Sequence, residues 1–392
     1  EKGYPLYLII DEYDNFTNVI LSEHGQRMFH DLTHASGFYR EYFKQFKGMF
    51  DRIFMMGVSP VTLDDLSSGY NIDWNISVDE IFNAMMGFEE AEVREMFCYY
   101  QQNDMLKGDV EAMIREMKPW YDNYCFARMS LNDDRVFNCD MTLYYLNYQV
   151  QRGRSPEEMV DKNIRTDYSK LKMLARIDRD SVQEGDRMST IEKIAAEGDI
   201  FVDLHTSFPA ERITDIDNFR SLLYYYGLLT MCGTRGDLIK MSIPNNCVRE
   251  QYFGFLRDYY QKYSSIDLHY LNVMLTDMAY DGRWKPFFES VAQAYRENSA
   301  VRDAMEGERN LQGFLKAYLA LASYYLVEPE LEMNYGYCDF FLLPDKKRYP
   351  DVKHSYILEL KYATRTATDA ELEVQALEGR NQLLQYSEDK IV

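Results

Sequence analysis

Three charged side chains near the end of the sequence have the types and spacing of a metal-dependent hydrolytic site. Asp339 lies in one apolar run, and Glu359 and Lys361 lie two residues apart in the next. Residues two apart in a strand project from the same face, so Glu359 and Lys361 share a face with Ile357. If the two runs form paired strands, Asp339 joins them there. Two carboxylates suit a hard divalent cation, and the ammonium would lie beside the water that the cation holds.

Elements on either side of these strands extend the predicted site. Glu308 precedes an apolar helical run and is a candidate further metal ligand, alongside the two strand carboxylates, for Mg²⁺ or Mn²⁺. After the strands, Gln382 and Tyr386 lie four residues apart and therefore on one helix face. Gln375, about two turns earlier on the same helix, is a further candidate.

A Glu-x-Lys pair on a strand is ordinarily a solvated strand face. Here the pair alternates with leucines inside an apolar run, and burying both charges without a function would cost several kcal/mol. The pair also lies in an ordered series of helix, acid-bearing strand, Glu-x-Lys strand and Gln/Tyr helix, which favours a working site. In such a site the cation lowers the pKa of a bound water, and Lys361 would help to deprotonate or position that water.

A second group of candidate residues lies at the start of the chain. Four apolar residues end in Asp11 and Glu12, the pattern of a Walker B strand, whose Asp holds Mg²⁺ and whose Glu orients the water that attacks a nucleotide. A second predicted buried strand ends at Ser59, a candidate contact for the γ-phosphate. Two acids that cap the following helix are the alternative explanation of Asp11 and Glu12.

The phosphate cradle that should precede a Walker B strand, Gly-x-x-x-x-Gly-Lys-Ser/Thr, is not found in the sequence. The chain also opens on Glu1, only a few residues before a strand predicted to be buried on both faces. We therefore expect a C-terminal fragment of a longer protein, cut before its Walker B motif. ATP is accordingly expected as a cofactor of the full-length protein.

Composition and charge exclude several classes of protein. The 392 residues are 46% hydrophobic, enough for a large core, and the net charge of −21 means that any nucleic-acid contact must be a local basic patch. The absence of a CxxC pair and of histidine ligand spacing argues against zinc. Six scattered cysteines fit reduced thiols in the cytoplasm. No apolar run approaches the ~20 residues of a membrane span, so no membrane partner is expected.

The pattern of elements predicts an α/β protein with three domains. Residues 1–118 contain a strand, a helical segment and a second strand, the parallel crossover of an α/β layer. Residues 119–265 are mostly helical, with a helix and hairpin at 219–243 that resemble a winged-helix unit. Residues 266–392 contain helices, three strands and a last helix, and the third of these strands is predicted at 355–362.

Motifs along the whole chain carry a resemblance to a known family. They are Leu8–Asp14, Gly57–Val61, Ser68–Asn71, Met86–Phe88, Trp120–Phe126, Asn163–Tyr168, Ser221–Tyr225, Ile243–Asn245, Gly336–Asp339 and Leu358–Lys361. Their order is similar to that of bacterial proteins, common in Bacteroidetes, with an N-terminal AAA-ATPase-like domain and a C-terminal PD-(D/E)XK nuclease-like domain. The resemblance implies part of a P-loop AAA-like layer, a helical middle region and a restriction-endonuclease-like α/β domain.

The same resemblance implies roles for individual residues. It implies Asp11 and Glu12 as Walker B and Ser59 as a sensor. It further implies a nuclease site made of Glu308, Asp339, Glu359 and Lys361. The spacing of Gln382 and Tyr386 recurs beside the metal site in RecB-like nucleases. Cys338 stands where the name motif has proline, a change that removes no ligand.

Two functions of different class fit these observations. The first is a Mg²⁺-dependent nuclease, with DNA as the expected substrate, coupled to an AAA-like ATPase domain. The alternative is a non-catalytic nucleotide switch or interaction protein whose nuclease fold only binds nucleic acid or protein. The charge of −21 and the candidate surface aromatics Trp120 and Tyr121 favour that alternative. An enzyme acting on a small nucleotide is the least favoured, and a homo-oligomer is left open.

Overall fold

The structure is a computed structural model. It describes residues 4–14, 45–46, 49–60, 74–133, 135–161, 171, 174–175, 184–208, 212, 215–261, 266–297, 308–322, 324–333, 336–361, 363 and 367–387. At 184–186, 308–310, 328–333 and 336–337 the description covers the backbone alone. The helix predicted between the first two strands lies outside the described residues.

Helices and strands are mixed along the chain, which confirms the predicted α/β class. The described helices are α1 (Glu90–Gln102), α2 (Val110–Tyr121), α3 (Cys139–Arg152), α4 (Glu184–Glu197), α5 (Ile216–Tyr225), α6 (Asn246–Gln261), α7 (Leu268–Asp281), α8 (Lys285–Glu297), α9 (Glu308–Leu319) and α10 (Asp369–Tyr386). The described strands are β1 (Tyr7–Ile10), β2 (Arg52–Met55), β3 (Phe88–Glu89), β4 (Val136–Phe137), β5 (Asp199–Val202), β6 (Thr230–Arg235), β7 (Leu238–Ser242), β8 (Tyr325–Met333), β9 (Gly336–Pro344) and β10 (Tyr356–Leu358).

The chain divides into two compact units. The first comprises Glu1–Thr190 and Gly198–Gln251, and the second comprises Ile191–Glu197 and Tyr252–Val392. The finer division into three domains stays a prediction. All six cysteines have free thiols, and no helix within the described ranges combines the length and apolar character that a membrane crossing requires.

In the first unit, β1 and β2 pair in parallel, with Tyr7 opposite Arg52. This pairing confirms the predicted parallel layer. The prediction that β1 is buried on both faces is wrong, because Tyr7 and Ile9 are 64% and 68% exposed. Tyr7 and Ile9 lie on one face of the strand, and Leu8 and Ile10 on the other face are only partly buried, because the pairing of β1 with β2 covers an edge of the strand and neither of its faces.

A helical core follows in the first unit. The buried residues of α1, α2 and α3 pack into one cluster that includes Phe97, Met117, Tyr121 and Tyr145. Tyr121 is fully buried, and its hydroxyl donates to the carbonyl of Met159 at 2.7 Å. Its predicted role as a surface aromatic is therefore wrong, because Tyr121 ends the apolar face of an amphipathic helix and packs inward.

Trp120, the other predicted surface aromatic, is only partly buried and packs against this cluster. The helix and hairpin predicted at 219–243 are confirmed as α5, β6 and β7. The hairpin turns at Gly236, whose φ of 63° favours glycine. β5 pairs with β7 as the third strand of that sheet.

The second unit is built on an antiparallel sheet in the order β10-β9-β8. Helix α9 packs against the last turns of α4, since a Cβ added at Gly313 would lie 3.4 Å from the Cβ of Ala196. The buried ammonium of Lys316 donates to the carbonyl of Ala196. The same ammonium lies 5.7 Å from the ring centroid of Phe340 in β9, so α9 is fixed to the sheet as well.

The third strand of this sheet is shorter than predicted. The prediction of a strand at 355–362 is wrong in extent, because β10 ends at Leu358, opposite Phe340. The reason is a side chain: the amide N–H of Leu360 donates to Oδ2 of Asp339 at 2.5 Å. Just beyond the last ladder pair, a side-chain carboxylate therefore accepts this N–H in place of a main-chain carbonyl.

Glu192, in the last turns of α4, is a buried carboxylic acid. It is 6% exposed, and its Oε1 accepts a hydrogen bond from the hydroxyl of Tyr260 at 3.1 Å. Burial raises the pKa of Glu192 from 4.5 to about 7, and the hydrogen bond from Tyr260 opposes that rise. Folding therefore favours the protonated acid.

We predict that Glu192→Gln stabilises the protein at pH 8 and changes its stability little at pH 4. The folded pKa lies above the unfolded one, so the unfolded chain ionises first and stability falls as the pH rises from 4.5 to about 7. A displacement of this size corresponds to on the order of 3 kcal/mol, and glutamine keeps the size of the side chain. Denaturant unfolding at pH 4, 6 and 8 measures the effect.

Glu289→Gln, at an exposed position on α8, is the matched control and should leave the pH profile unchanged. If wild type and Glu192→Gln lose stability equally between pH 4 and pH 8, Glu192 is not held protonated in the folded protein.

Candidate functional site

The paired strands bring Asp339 and Glu359 together, as the sequence predicts. Asp339 lies in β9 between the fully buried residues Cys338 and Phe340. Glu359 follows the end of β10, next to the position at which Leu358 pairs with Phe340. The hydrogen bond from the N–H of Leu360 to Asp339 then holds the two segments together beyond the ladder.

Glu359 and Lys361 project together although they lie beyond the strand. The Lys361 ammonium donates to Oε1 of Glu359 at 2.7 Å, and the two side chains are 28% and 6% exposed, respectively. Burial raises the pKa of Glu359; the hydrogen bond from Lys361 opposes that rise, and the nearby Asp339 adds to it. The predicted shared face is therefore present in a chain segment that has left the β-ladder.

The second carboxylate oxygen of Glu359 is the atom that most directly indicates a bound ligand. Oε2 is buried and has no hydrogen-bond partner among the described residues. A buried acceptor without a donor costs roughly 1–3 kcal/mol, and more when it carries charge. Such an atom calls for a ligand, because buried polar atoms in folded proteins are nearly all satisfied.

Helix α10 closes the site from the other side. It begins with a capping box between Thr368 and Glu371. A Cβ added at the buried Gly379 would lie 3.4 Å from Cγ of Lys361 and 3.9 Å from Cγ of Glu359. The glycine thus lets the helix lie directly against the Glu-x-Lys segment.

The predicted residues of α10 lie on the same face of the helix as Gly379, the face that lies against Glu359 and Lys361. Gln375 is four residues before Gly379 and Gln382 three residues after it. Tyr386 is 3% exposed and packs with Cys338 and other apolar residues of the sheet. Burial raises the pKa of Tyr386, and the charge of Glu359 raises it further. Gln382 contributes a second buried oxygen, Oε1, with no partner in the described part of the chain.

Glu308, the predicted third ligand, is the first residue of α9, but its side chain lies outside the described residues. Within the described part of the chain, no group of three or more His, Cys, Asp or Glu side chains is placed to hold a metal ion. The described carboxylates of the site are therefore Asp339 and Glu359, and the full predicted ligand set stays a prediction.

The residues that are described fit a hard divalent cation. Glu359 presents a buried oxygen without a donor, and Gln382 presents another. Each oxygen of Asp339 accepts one hydrogen bond in the structure and keeps a second lone pair. Carboxylate and amide oxygens of this kind are the ligands that Mg²⁺ and Mn²⁺ prefer.

Gln312 is a residue of the site that the sequence analysis missed. Its side-chain amide donates to Oδ1 of Asp339 at 2.8 Å. The signal that could have found it is spacing, since Gln312 is four residues after Glu308 and therefore on the same face of α9.

At the start of the chain, the structure brings the ends of β1 and β2 to one edge of the parallel sheet. Asp11 and Glu12 follow β1 and are exposed, and Oδ1 of Asp11 accepts from the N–H of Glu12 at 2.9 Å. Glu12 has a φ of 51°, an uncommon backbone conformation for a residue other than glycine. Whether these acids cap a following helix stays open, since the next residues of that segment lie outside the described part.

Ser59 is held at this edge by the two residues that follow the acid pair. Its N–H donates to Oδ2 of Asp14 at 2.6 Å, and its carbonyl accepts from the hydroxyl of Tyr13 at 2.7 Å. Ser59 and Asp14 are each 2% exposed. A Cβ at Gly57 would collide with the side chains of Tyr13 and Asp14, so glycine is required there. The motif after β1 thereby fixes the position of the motif after β2.

Models of known protein families match the sequence at both ends of the chain. Residues 1–67 match a family described as a predicted AAA-ATPase. Residues 306–392 match the PD-(D/E)XK nuclease superfamily. A search of curated proteins found no match, and neither did a search of solved structures. The chain carries an AAA-ATPase-like domain at its N-terminus and a PD-(D/E)XK nuclease domain at its C-terminus.

Proposed function

We propose that the C-terminal domain is a metal-dependent nuclease that hydrolyses phosphodiester bonds, with DNA as its substrate. The observation that carries the proposal is the Glu359 carboxylate. One of its oxygens is bound by Lys361, and the other is buried without a donor among the described residues. Asp339 is anchored beside it by the N–H of Leu360. The buried oxygen without a donor is costly unless it gains a partner, and a divalent cation would be one.

Each residue of the site has a different proposed role. Asp339 and Glu359 would hold Mg²⁺ or Mn²⁺, with Glu308 as the third carboxylate. When bound, the ion supplies a water of lowered pKa and offsets charge on the scissile phosphate. Lys361 would orient the attacking water and offset negative charge that develops on the phosphate oxygens. Gln382 would accept a hydrogen bond from that water or bind the ion through Oε1.

For the N-terminal domain we propose that Asp11, Glu12 and Ser59 belong to a nucleotide site. Their placement at the carboxyl edge of two parallel strands supports this, because ligands of parallel α/β sheets bind at that edge. Asp11 would hold Mg²⁺, Glu12 would orient the attacking water and Ser59 would sense the γ-phosphate. The site needs a phosphate cradle, which this sequence does not contain, so ATP hydrolysis is proposed only for a protein that supplies one. The resemblance and the free thiols support a bacterial, cytoplasmic setting.

A second candidate is a binding function without catalysis. The net charge of −21 favours a protein over a nucleic acid as the partner in that case, because an acidic surface repels the phosphate backbone of a nucleic acid. The two proposals differ at one site: binding alone needs no metal between Asp339 and Glu359.

We predict that Lys361→Ala lowers metal-dependent cleavage of DNA by about 100- to 1,000-fold, the range for the loss of one group that stabilises charge developing in the transition state. Nicking of supercoiled plasmid with Mg²⁺ or Mn²⁺ measures the loss. Lys353→Ala removes an exposed lysine from the same unit and is the matched control. Circular dichroism checks that both variants fold. Undiminished nicking by Lys361→Ala, or no cleavage of DNA or RNA by wild type with either ion, would sink the nuclease proposal.

We also predict that Mn²⁺ binding strengthens as the pH rises above 4.5. The pKa of Glu359 is raised, chiefly by burial, and a carboxylate must lose its proton to bind a metal. Binding at mildly acidic pH should therefore release a proton, which titration calorimetry detects by comparing buffers of different ionisation enthalpy. Glu359→Gln should bind Mn²⁺ weakly and release no proton.

Glu373→Gln, which removes an exposed carboxylate from α10, is the control for that experiment. Mn²⁺ affinity that does not change with pH in wild type would contradict the assignment of Glu359 as a ligand.

A further inference from the structure

The carboxylate of Asp339 is held from two directions. Oδ1 accepts from the side-chain amide of Gln312 at 2.8 Å, and Oδ2 accepts from the main-chain N–H of Leu360 at 2.5 Å. A carboxylate has about four acceptor positions on its two oxygens. Two fixed donors on opposite oxygens set the plane of the group and leave one lone pair on each oxygen for an ion.

The Gln312 donor is itself held in place by its neighbours on α9. Gly313, the next residue, lets α9 approach Ala196 closely, with 3.4 Å to an added Cβ. Lys316, one turn further on, donates to the carbonyl of Ala196 and lies 5.7 Å from the ring centroid of Phe340. Phe340 directly follows Asp339 in β9. The donor and the acceptor of the hydrogen bond thus belong to elements that pack against each other.

The chemistry of the donor matters as much as its position. In the described contacts, the Lys361 ammonium donates a hydrogen bond to Glu359. The two described donors to Asp339 are both neutral N–H groups. A neutral donor orients a carboxylate and leaves its negative charge for a cation, while an ammonium or guanidinium would compete with that cation. A glutamate at position 312 would remove the donor and add a like charge.

We propose that Gln312 is a positioning residue of the nuclease site, which sets the orientation of Asp339 for metal binding. The inference rests on the proposed function, because it assigns a role in the same site. Groups that hydrogen-bond to a metal ligand without binding the metal themselves typically contribute about 10- to 100-fold to metal affinity or activity.

Gln312→Met removes the donor and keeps the length of the side chain, and Gln312→Asn keeps the amide but shortens its reach by one methylene. Both variants should bind Mn²⁺ about 10- to 100-fold more weakly in titration calorimetry. Both should need correspondingly more Mn²⁺ for half-maximal nicking, with a smaller change in the rate at saturating Mn²⁺. Gln385→Met, at an exposed position on α10, is the matched control and should bind Mn²⁺ as wild type does.

The outcomes separate this inference from the proposed function. If wild type binds Mn²⁺ and cleaves DNA, and both Gln312 variants bind with wild-type affinity, the positioning role is overturned and the nuclease stands. Loss of the fold in both variants, judged by circular dichroism, would make Gln312 a structural residue and would also overturn the role. If wild type itself binds no Mn²⁺ and cleaves nothing, the proposed function fails and the inference fails with it.

Discussion

The burial of Glu359 is the constraint on which the C-terminal site depends. A carboxylate that is 6% exposed must be paired or neutralised, since an uncompensated buried charge costs several kcal/mol. Lys361 satisfies one oxygen and leaves the other without a partner among the described residues. Three features surround that arrangement: a glycine where α10 meets the pair, a strand that ends at Leu358, and a second carboxylate held by neutral donors.

The same kind of hydrogen bond, from a main-chain N–H to an aspartate side chain, occurs at both candidate sites. At the C-terminal site, the side chain of Asp339 takes the N–H of Leu360 and ends the ladder. At the N-terminal edge, the side chain of Asp14 takes the N–H groups of Val58 and Ser59. In each case a carboxylate caps the main chain just beyond a strand and fixes residues with candidate functions. Because such caps are local, each site is organised within its own unit.

Much of this could be predicted from the sequence, because alternation and order carry the information. Glu-x-Lys in an apolar run predicts a shared face, and Asp339 in the preceding run predicts its partner. The extent of β10 could not be predicted, because nothing in the sequence shows that a side chain will capture the N–H of Leu360. The residue type of Gln312 carries no signal, since glutamine on a helix is ordinarily solvated, and only its spacing from Glu308 points to the site. The inward packing of Tyr121 does have a signal in the sequence, because Tyr121 lies four residues after Met117 on the apolar face of α2.

Asp339 and Glu359 are proposed to hold a divalent cation between them. The most direct measurement is anomalous scattering from crystals of the protein soaked in Mn²⁺. We predict a Mn²⁺ ion within ligand distance of Oε2 of Glu359 and of the Asp339 carboxylate, about 2.0–2.6 Å for hard cations. Crystals that bind Mn²⁺ elsewhere, or not at all, with no ion between these two carboxylates would contradict the account.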